Sequence, residues 1–282
     1  MVTYAHPQAL VDTQWLAAHL HDPNVRLLEV HLDPVSTEPP PYDAGHIPEA
    51  VFWNGLTTIL HPDFRVNVDT TMVEGLLSRS GIANDTTVIV YSAHPAVAPW
   101  VVWYLKLFGH ADVRMLNGGR QRWIAEGRPL TAEVPVITPT AYIATAPDPS
   151  LRALRGQVQA AVGKGEPVLV DVRTPQEYRG EWFMMGPPTG TERAGHIPGA
   201  VHLYYEAALN ADGTFKSAEE LVAVYGSQGV TADKPAITYC AVGIRSAHTW
   251  FVLRYLLGYP RVRSYDGSWN EWGRLPDTPV EV

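Results

Sequence analysis

The chemistry this chain can offer centres on one sulfur. Ile237 to His248 reads Ile-Thr-Tyr-Cys-Ala-Val-Gly-Ile-Arg-Ser-Ala-His, and Cys240 is the only cysteine in 282 residues. An apolar, β-branched run ends at Cys240, a short loop holds Gly243, Arg245 and Ser246, and Ala247 to Leu257 predicts a helix. Strand, tight loop and helix N-terminus together aim several backbone N–H groups at one spot. A sulfur held there sits in a positive field that favours thiolate over thiol. Cys240 is therefore the candidate nucleophile, with the loop amides from Ala241, Val242, Gly243 and Ile244 through Arg245 to Ser246 as candidate binding groups. The competing reading is a buried cysteine that packs as a small hydrophobe. Burial alone does not call for a glycine and an arginine so close behind. Arg245 itself has two readings. A guanidinium can grip two oxygens of an anionic substrate, or a helix-start arginine can pair with a nearby acid.

Other residues carry less. His46 and His196 sit in Gly-His-Ile-Pro phrases and read as structural hydrogen-bonders. Arg173 and Glu177, four apart, read as a supporting ion pair. The eleven histidines lack ligand spacing, so no metal site is expected. The nine tryptophans read as core. Trp182 to Met185 is an apolar run that either covers the site or packs at a domain interface, the second being preferred.

The elements that must position Cys240 follow an order that occurs twice. In the first half, Asp12-Thr13 caps a helix to about His21, and Val25 to Val30 is a strand. A proline-rich loop through Pro34, Pro39, Pro40 and Pro41 leads to Gly45-His46-Ile47-Pro48. Then come a helix from Asp69-Thr70, a strand Thr87 to Tyr91, a helix Trp100 to Phe108, a strand Val113 to Leu116, and a Gly118-Gly119 turn into a helix. The second half repeats this with a strand Pro167 to Val172, Gly195-His196-Ile197-Pro198, a helix Ser217 to Ser227 and a strand Ala236 to Tyr239. Asp266-Gly267-Ser268-Trp269 echoes Asn117-Gly118-Gly119-Arg120. Self-similarity over half a chain indicates duplicated domains. The expected organisation is a domain over 1–130, a proline-bearing linker over 131–149 and a second domain over 150–282. Alternating strands and helices predict the α/β class, each domain a mostly parallel sheet with helices on both faces. Cys240 then lies beyond the carboxyl end of a strand, where such sheets bind ligands. Its counterpart is Ser92, followed by a segment with Pro95 and Pro99, which lack N–H donors.

Composition excludes several classes. Apolar residues make up 46% and charged residues 18%, which supports a sizeable core and argues against disorder. A net charge of −8 without local basic clusters argues against nucleic-acid binding. The N-terminus lacks the pattern of a secretory signal, and no apolar run is long enough to span a bilayer. A lone cysteine suits a reducing compartment, so a cytoplasmic protein is expected.

These features together resemble the tandem-domain sulfurtransferases: rhodanese, or thiosulfate sulfurtransferase, and its relative mercaptopyruvate sulfurtransferase. The resemblance covers essentially the whole chain. It rests on both Gly-His-Ile-Pro phrases, Val170-Asp171-Val172-Arg173, the Gly267-Ser268-Trp269 turn and the six-residue loop from Cys240 to Arg245. It implies two rhodanese-like domains, the C-terminal one catalytic with Cys240 as nucleophile and the N-terminal one inactive. It implies transfer of a sulfane sulfur from a small anionic donor, thiosulfate, to a nucleophilic acceptor, cyanide or a thiol, through a persulfide and without a cofactor. The loop is similar to a bacterial Cys-Arg-Ile-Gly-Glu-Arg-Ser pattern, but Ala241 replaces a cation. Glu177 stands where the mercaptopyruvate branch carries arginine, and Arg179 is a nearby substitute for binding substrate. Related phosphatases need five residues between cysteine and arginine, and this loop has four. Thiosulfate is the expected donor. Mercaptopyruvate, or a low-turnover persulfide carrier, remains the alternative.

Overall fold

The computed structural model describes residues 3–33 and 41–282. Pro34, Pro39 and Pro40 of the expected proline-rich loop lie outside those residues. The chain forms two compact units. The first comprises Gln8–Asp148 and Asn210–Phe215; the second comprises Pro149–Leu209 and Lys216–Val282, with the N-terminal segment up to Pro7.

In the first unit the strands are β1 (Leu10–Val11), β2 (Val25–His31), β3 (Ala50–Asn54), β4 (Thr87–Tyr91) and β5 (Val113–Leu116). They form one sheet in the order β1-β5-β4-β2-β3, with every pairing parallel. The helices are α1 (Thr13–His19), α2 (Pro41–Ala44), α3 (Gly55–Thr58), α4 (Thr70–Arg79), α5 (Val97–Leu107) and α6 (Gly119–Ala125). Asp12 caps α1 by accepting from the Trp15 N–H at 2.6 Å, which satisfies one of the free donors of the first turn. Helix α5 is buried at every position but Lys106, which explains its apolar composition all round.

The second unit repeats this plan with β6 (Arg152–Ala153), β7 (Val168–Asp171), β8 (Val201–His202), β9 (Ala236–Tyr239) and β10 (Val262–Tyr265), in the parallel order β6-β10-β9-β7-β8. Its helices are α7 (Arg155–Ala161), α8 (Pro175–Tyr178), α9 (Ala218–Gly226), α10 (Ile244–Phe251) and α11 (Ser268–Trp272). All four residues of β9 are buried at the centre of the sheet, and Cys240 follows directly. The α/β expectation thus holds, with two five-stranded parallel sheets.

The repeated phrases have a shared mechanical role. The Ile47 and Ile197 N–H groups each donate at 3.1 Å to the hydroxyl of the tyrosine that ends the central strand, Tyr91 and Tyr239 respectively. His46 and His196 stack on Tyr42 and Tyr178 at 3.7 and 3.8 Å and bond to the Tyr42 and Tyr178 carbonyls. Both histidines are structural, as their phrases suggest. A buried carboxylate anchors each site from the neighbouring strand, Glu29 in one unit and Asp171 in the other. Its arginine comes from different places: Arg120 at the start of α6 meets Glu29, whereas Arg173 just past β7 meets Asp171.

The segment expected as a semi-rigid linker bonds along the first unit: Thr140 N–H donates to Ser78 C=O, Thr145 to Phe108 and Asp148 to Leu107, at 3.0, 3.1 and 2.8 Å. An extended segment must place its peptide groups somewhere, and this one docks them on the first unit. The helix after the cysteine begins at Ile244 rather than Ala247 and gives way to a wide π turn over Val252–Leu256.

Candidate active site

The site grows from the end of β9. Cys240 is fully buried, and its Sγ accepts a hydrogen bond from the Gly243 N–H at 3.2 Å. Gly243 permits this because its φ of +90° lies in the left-handed region, where the chain reverses from the loop straight into α10. A Cβ there would come within 2.9 Å of both Cα and the carbonyl oxygen of Asp266, so no side chain fits. The first intrahelical bond of α10 runs from Ala247 N–H to Gly243 C=O at 3.2 Å. The Ile244, Arg245 and Ser246 amides before it form the unsatisfied first turn, whose dipole favours negative charge.

A second loop bolts this one in place. The Cys240 N–H donates to Ser268 Oγ at 3.0 Å, while Trp269 and Asn270 N–H donate to the Cys240 and Ala241 carbonyls, both at 2.9 Å. Ser268 also donates to the Tyr265 carbonyl at 2.7 Å, and its Oγ lies 4.0 Å from the sulfur. Its φ is +50°, a conformation that costs a non-glycine residue about 1–2 kcal/mol. The counterpart in the first unit is a glycine, Gly119, and a Cβ there would meet Ser92 C=O at 2.6 Å. Serine at this strained position supplies the hydroxyl to which the Cys240 N–H donates. The Gly-Ser-Trp turn is visible in the sequence as a motif, but no role for Ser268 is legible there. The signal was the serine-for-glycine difference between the two halves.

Arg245 is held more firmly than the loop sequence suggests. Its terminal nitrogens donate to Glu177 Oε2 and Oε1, both at 2.7 Å, in a bidentate pair. Glu177 is buried, and its Oε2 also accepts from the Thr174 N–H and hydroxyl, both at 2.9 Å, in the capping box of α8. Burial works against the Arg245 charge, but the Glu177 bonds and the fields of Cys240 and Asp171 outweigh it, so its pKa lies above the ordinary arginine value. Arg245 is therefore a permanent cation within electrostatic reach of the sulfur, with its charge already partnered.

This corrects the expected Arg173–Glu177 pair. Arg173 precedes the N-cap of α8, so helical i,i+4 spacing does not apply to it. It folds back on its own strand instead, donating from Nε to Asp171 Oδ1 at 3.0 Å and from Nη2 to Oδ2 at 2.6 Å. Its guanidinium lies over the Trp269 ring at 4.4 Å.

The other expected site residues divide. Ala241 and Ile244 are buried and Val242 is half-buried along the loop. Ser246 is buried and turns its hydroxyl to the Gly243 carbonyl at 2.8 Å and to Ser264 Oγ at 3.0 Å, so it braces the loop. Arg179 is not brought to the cysteine. Two residues after Glu177 on a helical turn, it faces the opposite way, is 56% exposed and donates to Glu181 at 2.8 Å. In the Trp182 to Met185 run, Phe183 packs into the core of its own unit while Met185 is 94% exposed. Among the described residues, no group of three or more His, Cys, Asp or Glu is placed to hold a metal ion. None of the helices described is long and apolar enough to cross a membrane.

Two parallel sheets, with one cysteine at the carboxyl end of a central strand accepting a hydrogen bond from the Gly243 N–H, define a two-unit α/β protein. The model of the Rhodanese-like domain matches residues 12–126 and again 154–275, and the chain belongs to the rhodanese family. It is 48% identical to "Sulfur carrier protein TtuD" of Thermus thermophilus, covering 98% of each chain. It is 45% identical to a Saccharopolyspora erythraea protein named "Putative thiosulfate sulfurtransferase", covering 97% of this chain and 96% of that one. A solved structure of EanB carrying a cysteine persulfide, with ergothioneine, superposes with a TM-score of 0.87 at 25% identity, over 100% of this chain and 72% of that one.

Proposed function

We propose that this protein is a sulfurtransferase that carries a sulfane sulfur as a persulfide on Cys240. The observation that carries this reading is the Gly243 N–H, which donates to Sγ at 3.2 Å from the N-cap position of α10. Such donors lower the energy of a thiolate, and then of the persulfide anion that replaces it. In the first step the thiolate attacks the outer sulfur of thiosulfate. A sulfur–sulfur bond forms at Cys240, the bond within thiosulfate breaks, and sulfite leaves with the electron pair. In the second step a thiol or cyanide takes that outer sulfur and the Cys240 thiolate is regenerated. The donor assignment draws on Arg245, whose guanidinium suits the oxygens of a small anion, and on the name given to the Saccharopolyspora relative. The first unit is read as an inactive copy, with Ser92 in the place of the nucleophile, and a reducing cytoplasmic setting suits a single free thiol.

One observation favours a second reading. Arg245 is already partnered by Glu177, which suits slow donor capture and a low-turnover carrier, and the Thermus relative is named a sulfur carrier protein. Mass spectrometry after thiosulfate treatment tests the common core: wild type gains one sulfur atom and Cys240→Ser gains none. A Cys240→Ser variant with near-normal turnover would end the proposal. Steady-state assays with thiosulfate and mercaptopyruvate, each with cyanide as acceptor, then separate the enzyme from the carrier.

A further inference from the structure

Arg245 is the one cation in the stretch from Cys240 to Ser246, so the charge that a donor meets at this loop depends on its partner. We propose that Glu177 is the specificity-determining residue for donor charge: by neutralising Arg245 it weakens capture of a doubly charged donor relative to a singly charged or neutral sulfane-sulfur donor, a small persulfide being the chemical type. This rests on the reading of Cys240 as the sulfur acceptor and goes beyond it in assigning selectivity to a residue 68 positions away in sequence.

The geometry leaves little room for a donor to displace the acid. Both Glu177 oxygens meet Arg245 at 2.7 Å, and the same carboxylate closes the start of α8 through the Thr174 N–H and hydroxyl. Swinging Glu177 aside would expose a helix terminus and unpair a buried carboxylate together. An incoming anion therefore finds the pair in place. A guanidinium has five N–H donors in a fixed fork, and Glu177 engages two. Arg245 can still offer hydrogen bonds, but in a field that its partner cancels. Hydrogen-bonding capacity is similar for monoanions and dianions, whereas attraction to net charge scales with the donor's charge. Arg173, the second guanidinium of this site and a fully buried one, adds nothing to the balance, because Asp171 neutralises it in the same way.

Thiosulfate and methanethiosulfonate present the same sulfane sulfur on a dianion and a monoanion, so their comparison isolates charge. KM and kcat for both are measured in wild type and in Glu177→Gln, which keeps side-chain shape and a hydrogen-bond acceptor while removing the negative charge. The KM for thiosulfate is expected to fall about tenfold, about 1.4 kcal/mol of capture. The KM for methanethiosulfonate falls about threefold or less, and kcat changes little for either. Equal falls for the two donors, or no fall, overturn the proposal, because a structural role would not sort donors by charge. Should Glu177→Gln fail to fold by circular dichroism, Glu177→Asp decides by the same ratio, with a smaller shift in the same direction. It keeps an ionic partner for Arg245 but draws it back by one methylene. Failure of the underlying reading looks different: wild-type protein would gain no sulfur on Cys240 from either donor.

Discussion

Gly243→Ala is the perturbation whose cost the structure defines most fully. Alanine at a φ of +90° incurs about 1–2 kcal/mol from the left-handed backbone alone. The new Cβ would also stand 2.9 Å from two backbone atoms of Asp266. Asp266 cannot easily recede, since Arg152 grips its carboxylate through two bonds of 2.8 Å. The loop must move instead, taking the Gly243 N–H away from Sγ. A total of about 2–4 kcal/mol is expected, which lowers the melting temperature by roughly 4–16 °C for a protein of this size. Loss of the Gly243 hydrogen bond to the reacting sulfur should slow persulfide formation by roughly ten- to a hundredfold. Calorimetry reads the first effect, and stopped-flow loading from thiosulfate, at a temperature where the variant is folded, reads the second. Gly119→Ala is the matched control: its Cβ would collide with Ser92 C=O at 2.6 Å in the first unit, so it should destabilise while leaving sulfur loading intact. Normal loading by a folded Gly243→Ala variant would refute the role given to this amide.

Three further outcomes follow from the same geometry. Ser92→Ala removes an acceptor for the His94 N–H at 3.2 Å and should cost about 1 kcal/mol of stability with turnover unchanged; a large loss of turnover in folded protein would give the first unit a chemical part. Arg245→Ala should lower both stability, by about 3 kcal/mol, and thiosulfate efficiency, because it strands the buried Glu177 carboxylate; a stable variant with unchanged kcat/KM would show that the pair matters to neither. Ala241→Arg adds a cation beside the sulfur and should lower the KM for thiosulfate in steady-state assays, and an unchanged KM would count against charge as the limit on capture.

Much of this molecule was legible before its coordinates. Period and punctuation located the strands Thr87–Tyr91, Val113–Leu116 and Ala236–Tyr239 at their observed bounds, because short apolar β-branched runs between turn residues are local signals. The duplication, the loop after the central strand and the cysteine at its head were likewise written in residue order. Partner choice was not. Arg173 and Glu177 stand four apart and look paired, yet they do not meet: Arg173 turns back to Asp171, two residues before it, and Glu177 binds Arg245 from across the fold. The two halves even supply the arginine of their buried carboxylate from different elements. Arg179 faces away from the site only because α8 begins where it does. Ser268 acquires its role through a strained turn that closes against Cys240. Hydrophobic period and turn chemistry act over a few residues and so can be read along the chain. Ion pairs and hydrogen bonds between distant segments depend on which side chains the packed sheet brings within about 3 Å, and that only the tertiary structure decides.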